Sequence, residues 1–183
     1  MHSKSKNLAF AAMMTALCVV ATCVVAIPFP ALGYFNLGDV VVLLSGWLLG
    51  PLYGGLAAGL GSMLADLFLG FTAYMPATFL IKGGVAVCGW TLYALLKKCI
   101  QKDAVDFLPR LLAGIAAEAV MVGGYLFFEA VFLGVGAAAL TSVIGNAVQA
   151  LCGCVGATAL AAAIYPMPGA KQLFPALCRK LVE

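Results

Sequence analysis

Apolar residues fill most of this chain in blocks of about membrane-span length, separated by short clusters of proline, glycine and charge. The first block covers 8–27, behind Lys4 and Lys6, and ends at Pro28-Phe29-Pro30. A signal peptide opens in the same way, but this run has full span length and the prolines offer no small-residue cleavage site. It is read as the first helix. The second runs over 37–50 and stops at Pro51, which starts a third over 52–70, since proline suits the first turn of a helix. At 1.5 Å of rise per residue the second helix is about 21 Å long, short of a hydrocarbon core of about 30 Å. Unusually short helices in transporters often border the binding site. Further spans are expected over 78–96, 107–133 and 138–165. Gly134-Val135-Gly136 is the turn between the last two, and 97–106 is the sizeable polar linker.

Composition agrees with this pattern. Of 183 residues, 64% are hydrophobic and 9% charged, and the mean hydropathy is +1.11. A soluble domain carries about 25% charged residues, so this chain lacks the groups to cover a wet surface. Lipid-facing backbone must satisfy its own hydrogen bonds, which leaves helices or a closed barrel. Long apolar runs without alternation select helices. The expectation is an all-α membrane protein, six transmembrane helices in one bundle, forming a single domain over 1–183. Lys4, Lys6, Lys97, Lys98, Lys102, Arg110, Lys171, Arg179 and Lys180 all fall at one end of such a bundle, and the loops 28–36, 71–77 and 133–137 at the other end carry no basic residue. Lys82, within a span, is the sole exception. This asymmetry places both termini in the cytoplasm of a multi-pass cell-membrane protein.

Several function classes drop out. A net charge of +3 with no basic cluster among aromatics argues against nucleic acid. The sole histidine is His2, so the usual metal and general-base chemistry is absent, and no cofactor is expected. Cys18, Cys23, Cys88, Cys152 and Cys154 fall in spans as small apolar packers. Cys152 and Cys154 are two apart and point to different sides of a helix, which argues against a shared metal. No nucleophile–base pairing suggests an enzyme, and no G-x-x-x-x-G-K-[ST] loop is present for ATP hydrolysis.

Spacings of three and four residues assign the polar groups to faces. Gly55, Ala58, Gly59, Ser62, Ala65 and Asp66 share a stripe in the third span. Lys82, Ala86, Gly89 and Tyr93 align in the fourth, and Gly114, Glu118, Val122, Tyr125 and Glu129 in the fifth. The sixth aligns Ser142, Gly145, Asn146, Gln149, Gly153 and Gly156. Small residues mark helix–helix contact in membranes, so these stripes face inward and give the bundle a polar interior. Asp39, Asp66, Lys82 and Glu129 lie near the outer ends of their helices, Asn146 and Gln149 deeper, and Glu118 nearer the midplane. A cup opening outward fits this better than a through-pore. Its candidate binding residues are Tyr34, Asn36, Asp39, Asp66, Tyr74, Lys82, Tyr125, Glu129, Asn146 and Gln149.

Plainer roles exist for each. Asn36 and Asp39 form a cap-like N-x-x-D pattern. Asp66 and Lys82, at similar depth on antiparallel neighbours, are expected to form an internal ion pair. Glu129 can snorkel to the interface, and Tyr34 and Tyr74 suit an interfacial belt. Asn146 and Gln149 suit interhelical hydrogen bonds.

The series Asn36–Asp39 (NLGD), Leu48–Pro51 (LLGP), Gly61–Asp66 (GSMLAD) and Tyr74–Gly83 (YMPATFLIKG) resembles the S components of energy-coupling factor (ECF) vitamin transporters, in the branch grouped with riboflavin and hydroxymethylpyrimidine transporters. The resemblance covers essentially the whole chain. It implies a membrane-embedded binder of a small water-soluble vitamin that docks on a T component driven by two ATPase subunits in the bacterial cytoplasmic membrane. It also implies a docking face of alanines in the first helix, matched here by Ala9, Ala12 and Ala16. The loop and third-span residues depart from the riboflavin-binding branch. Hydroxymethylpyrimidine or a pyridoxine-like compound is therefore expected ahead of riboflavin. The alternative is a stand-alone ion-coupled carrier using Asp66, Lys82 and Glu118 as a proton path.

Overall fold

The structure, a computed structural model, describes residues 2–28, 33–100 and 106–178. Lys102, Arg179 and Lys180, counted above among the inner basic residues, and Phe29-Pro30 lie outside the described residues. Helix α1 (His2–Val24) takes in Lys4 and Lys6 and so starts ahead of the apolar run, as good helix formers allow. It leads to a small ladder in which β1 (Ile27–Pro28) pairs antiparallel with β2 (Tyr34–Phe35). Two-residue strands are too short to show alternation in a sequence, and the ladder was not expected.

Helix α2 (Gly38–Leu69) is a hairpin in disguise. Gly50, directly ahead of Pro51, has φ 80° and ψ −179°, a backbone open in practice to glycine alone. A Cβ on Gly54 would stand 2.3 Å from the carbonyl oxygen of Ser45. Nine residues of unbroken helix would hold those positions about 13 Å apart. The halves 38–49 and 51–69 therefore fold back against each other, and they are the second and third spans of the sequence reading. With α1, α3 (Met75–Cys99), α4 (Phe107–Phe127) and α5 (Leu140–Ile164) they make six membrane helices. Short turns trim the expected ends. A 3-10 turn (Thr72–Tyr74) enters α3, a π turn (Phe128–Phe132) ends α4, and a 3-10 turn (Gly136–Ala139) enters α5.

Helix α2 is the centre of the bundle and packs against α1, α3 and α5. Glycine makes the contact close: a Cβ would meet a backbone carbonyl oxygen of α3 at 2.7 Å from Gly59 and one of α1 at 2.7 Å from Gly61. Leu52, Phe68, Leu80, Ile144, Leu151 and Val155 are exposed, as lipid-facing side chains should be.

The inner end is closed by the C-terminal segment, α6 (Ala170–Leu173) and a 3-10 turn (Pro175–Cys178). Phe174 packs edge-on against Phe10 of α1, with ring centroids 4.9 Å apart, which brings this segment to the N-terminal end of the bundle. Arg110 is fully buried there. Its guanidinium donates to the Leu177 carbonyl at 2.7 Å and lies 4.6 Å from the Tyr93 ring centre. Asp106 pairs with Lys97 and accepts from the Tyr93 hydroxyl at 2.8 Å. The sequence reading used Arg110 only as a topology charge, and the structure makes it a clamp on the C-terminal segment. Replacing Arg110 by Met leaves the Leu177 carbonyl with the Tyr93 hydroxyl alone, and the charge-assisted bond so lost is worth about 1.5–3 kcal/mol. The expected result is cleavage of the C-terminal segment by added protease at least about tenfold faster in the detergent-solubilised variant. An unchanged cleavage rate would show that the clamp does not hold the segment.

Candidate ligand-binding site

Opposite the clamp, at the outer end, the inward stripes of α2, α3, α4 and α5 meet beside Gly33, Tyr34 and Asn36. The floor is a chain of charge-assisted hydrogen bonds. Lys82 Nζ donates to Asp39 Oδ1 at 2.5 Å, and Gln149 Nε2 donates to Asp39 Oδ2 at 2.6 Å. Gln149 Oε1 in turn accepts from the backbone and side-chain amides of Asn36 at 2.9 and 3.0 Å. The Asn36 side-chain oxygen accepts from Gly38 N at 2.8 Å, so Asn36, and not Asp39, serves the start of α2. Gly153 of α5 makes the floor possible, because a Cβ there would stand 2.6 Å from Asp39 Cβ. Side chains are thus drawn from α2, α3, α5 and the outer loop into one network.

The expected Asp66–Lys82 pair is not formed. Lys82 takes Asp39, the acid at the start of the short half of α2, which is fully buried. Asp66 faces the outer loop instead and accepts from the Tyr34 hydroxyl at 2.7 Å. Burial, and then the Asp66 carboxyl, pushes the Tyr34 phenol above its ordinary range, so it stays protonated and donates. Asp66 Oδ2 is buried without a hydrogen-bond partner, although the Thr78 hydroxyl faces the same carboxyl.

The rim holds a second carboxyl. Glu129 sits on the π turn and accepts from the Tyr74 hydroxyl at 3.2 Å and from Ser142. It does not snorkel, being almost fully buried. Aromatic rings form one wall: Tyr34 and Phe71 have centroids 4.7 Å apart, Phe71 and Tyr74 6.1 Å, and Tyr74 and Tyr125 6.4 Å. The Tyr125 hydroxyl is 3.1 Å from Thr78 Oγ1, and its ring lies 5.4 Å from Lys82 Nζ.

These groups surround about 460 Å³ of empty space, the open mouth included. Nine of the ten residues singled out from sequence line it; Asp39 does not, and lies below as the counter-ion of Lys82. Thr22, Gly33, Ser62, Phe71 and Thr78 also line it and were not singled out. Ser62 and Thr78 each lie four residues before Asp66 or Lys82, so their faces were readable. Thr22 follows Met14 and Cys18 at helical spacing on the buried side of α1, a signal hidden by the uniform apolarity of that helix. Glu118 is buried nearer the midplane, outside the lining. Ala9, Ala12 and Ala16 are exposed on the side of α1 away from Ala11, Met14 and Cys18. Among the described residues no group of His, Cys, Asp and Glu side chains is arranged to hold a metal ion.

The family model described as "ECF-type riboflavin transporter, S component" matches residues 2–166. The chain belongs to that family of S components. A Pyrococcus woesei relative of this S component, described as an uncharacterized protein in gap 3'region, is 37% identical over 139 residues, which is 74% of this chain and 86% of that protein. Two solved S components share the fold. One, reported as the S component of a bacterial ECF transporter, has a TM-score of 0.64 at 19% identity and covers 86% of this chain and 94% of its own. The other, the S component for biotin from an ECF-type ABC transporter, has a TM-score of 0.62 at 22% identity and covers 94% of this chain and 97% of its own. The present S component is therefore a multi-pass transport protein with the S-component fold.

Proposed function

We propose that this S component captures a small water-soluble vitamin or vitamin precursor from outside the cytoplasmic membrane and delivers it through an ECF T component and two ATPase subunits. One observation carries the reading: acids, amides, an ammonium and aromatic rings from separate helices converge on a cavity at the outer end, while the inner end is closed. A pocket with one aromatic wall and many placed polar groups suits a flat heteroaromatic ligand rich in hydrogen-bonding atoms. Hydroxymethylpyrimidine or a pyridoxine-like compound fits the amide and carboxyl chemistry best, with riboflavin the larger alternative. A nanomolar binder holds its ligand by about 12 kcal/mol, so release needs an external distortion of the site. Ala9, Ala12 and Ala16 offer a smooth exposed strip for docking the partner that supplies it.

The test is direct. Mass spectrometry of the small molecule carried through purification, followed by calorimetric titration, is expected to show one ligand per chain. Glu129→Gln and Asn146→Ala should each weaken it about 10-fold or more, the effect of one lost polar contact of about 1.5–3 kcal/mol. Parental affinity in both variants would misplace the site. Uptake by the lone chain in vesicles that collapses with the proton gradient would replace the importer reading by an ion-coupled carrier.

A further inference from the structure

The cavity carries an unusual charge balance. Two acids, Asp66 and Glu129, and one ammonium, Lys82, line it. The ammonium is already committed to Asp39 at 2.5 Å. No other cation is at hand: between Lys6 and Lys97 the chain has no lysine or arginine except Lys82, and between Arg110 and Lys171 it has none. Among the described residues the remaining lysines and arginines belong to the inner end. The outer mouth therefore presents carboxyl groups without a free positive charge to balance them.

The hydrogen-bonding atoms point the same way. Asp66 is 4% exposed, and its Oδ2 has no hydrogen-bond partner, while Oδ1 is already served by Tyr34. An ionised carboxyl only accepts, so the vacant oxygen asks for an N–H or O–H. A ligand atom bearing lone pairs at that point would leave both groups unpaired, the arrangement a buried polar site rejects most strongly. Lys82 has further N–H bonds beyond the one given to Asp39, and these suit a carbonyl or ring nitrogen.

We infer that this cavity selects its ligand by charge: it takes a neutral or cationic ring that donates a hydrogen bond to Asp66 Oδ2, and it turns away the phosphorylated and carboxylated forms of the same ring. The inference rests on the vitamin-binding reading and adds to it the sign of the ligand's charge and the residue that reads it. A phosphate ester adds negative charge beside two buried acids with no free ammonium to balance it, in surroundings that screen charge poorly. Phosphorylated vitamins would then have to lose phosphate before uptake, by a phosphomonoester hydrolysis outside the cell.

The experiment pairs each ring with its own phosphate. Purified full-length protein is titrated calorimetrically with riboflavin and riboflavin 5′-phosphate, pyridoxamine and pyridoxamine 5′-phosphate, and thiamine and thiamine monophosphate. For whichever ring binds, the phosphate ester is expected to bind at least about 100-fold more weakly; a ratio below about tenfold overturns the inference. Asp66→Asn and Glu129→Gln, measured separately, should each shrink the ratio at least threefold in a variant that still melts cooperatively. An unchanged ratio in both variants overturns the assignment of selectivity to these acids. Failure of every ring, in both forms, with hydroxymethylpyrimidine, pyridoxine and their phosphates added to the panel, sinks the vitamin-binding reading itself, whereas equal binding of ring and ester sinks charge selection alone.

Discussion

Lys82→Met is expected to abolish ligand binding and to lower the melting temperature of the purified protein more than any other single change in the cavity wall. The substitution removes the one cation paired with Asp39 among the described residues, and Asp39 is fully buried and left with Gln149 as its hydrogen-bonding partner. Breaking a buried pair from one side costs about 3–5 kcal/mol, because the remaining charge is neither solvated nor compensated. In a chain of this length each kcal/mol moves the midpoint by about 2–4 °C, so the drop should reach roughly 6–20 °C. Binding suffers twice, since Lys82 lines the cavity and its partner Asp39 also orients Gln149 and, through it, Asn36. The companion variant decides the cause. Asp39→Asn combined with Lys82→Met leaves no stranded charge at position 39, although the buried Glu118 loses its neighbouring ammonium, and should recover part of the lost stability while remaining unable to bind. A Lys82→Met protein that melts and binds as the parent does would remove the floor network from the account.

Much of this architecture was legible because lipid imposes few solutions. Apolar runs, breaks at proline and the one-sided lysines gave the six helices, and Pro51 marked the turn that Gly50 makes possible. The inward faces were legible too, since small residues at helical spacing sit where helices touch: all six residues of the stripe from Gly55 to Asp66 are buried. The partner of Lys82 was not. Spacing fixes a face and a depth, and both Asp39 and Asp66 satisfied those conditions. What separates them is tertiary. The hairpin at Gly50 places the short half of α2 centrally, and Gly153 lets Asp39 approach α5 closely, while the outer loop brings Tyr34 over Asp66. Loop placement of that kind leaves no periodic trace, and the two-residue ladder that positions Tyr34 leaves none either. The inner clamp escaped notice for another reason. A buried arginine holding a backbone carbonyl looks, in sequence, like one more positive-inside charge.

Both ends of the bundle share a design in which one buried cation gathers groups from separate elements. Lys82 of α3 holds Asp39 of α2, which in turn accepts from Gln149 of α5 at the outer end, and Arg110 joins α4 to the C-terminal segment at the inner end. Between them the contacts are made by small residues, so the positions of the two clusters depend on how closely the backbones approach. A change in that approach acts on the cavity without touching it.

Gly46→Ala tests this dependence and is expected to have the second largest effect. A Cβ at Gly46 would stand 2.3 Å from the carbonyl oxygen of Ala86 and 3.0 Å from its carbonyl carbon. Those are backbone atoms of α3, which cannot rotate aside as a side chain does, so the two helices must separate. Overpacking costs about 1–3 kcal/mol in general, and a rigid backbone obstacle places this case at the upper end. The displacement also reaches the site. Gly46 lies two turns along the helix from Asp39, and Ala86 one turn along α3 from Lys82, so parting the helices lengthens the ion pair that forms the floor. Affinity should fall at least about tenfold although the mutated residue lines no part of the cavity. Gly84→Ala, on the facing helix α3, supplies the control: nothing lies within 4 Å of its added Cβ, and exchanging a helical glycine for alanine gains about 1 kcal/mol. It should bind as the parent does and melt at the same temperature or higher. Thermal melting and calorimetric titration of the two variants side by side separate backbone spacing from helix propensity. Equal behaviour of Gly46→Ala and Gly84→Ala would show that the approach of the two helices does not set the geometry of the site.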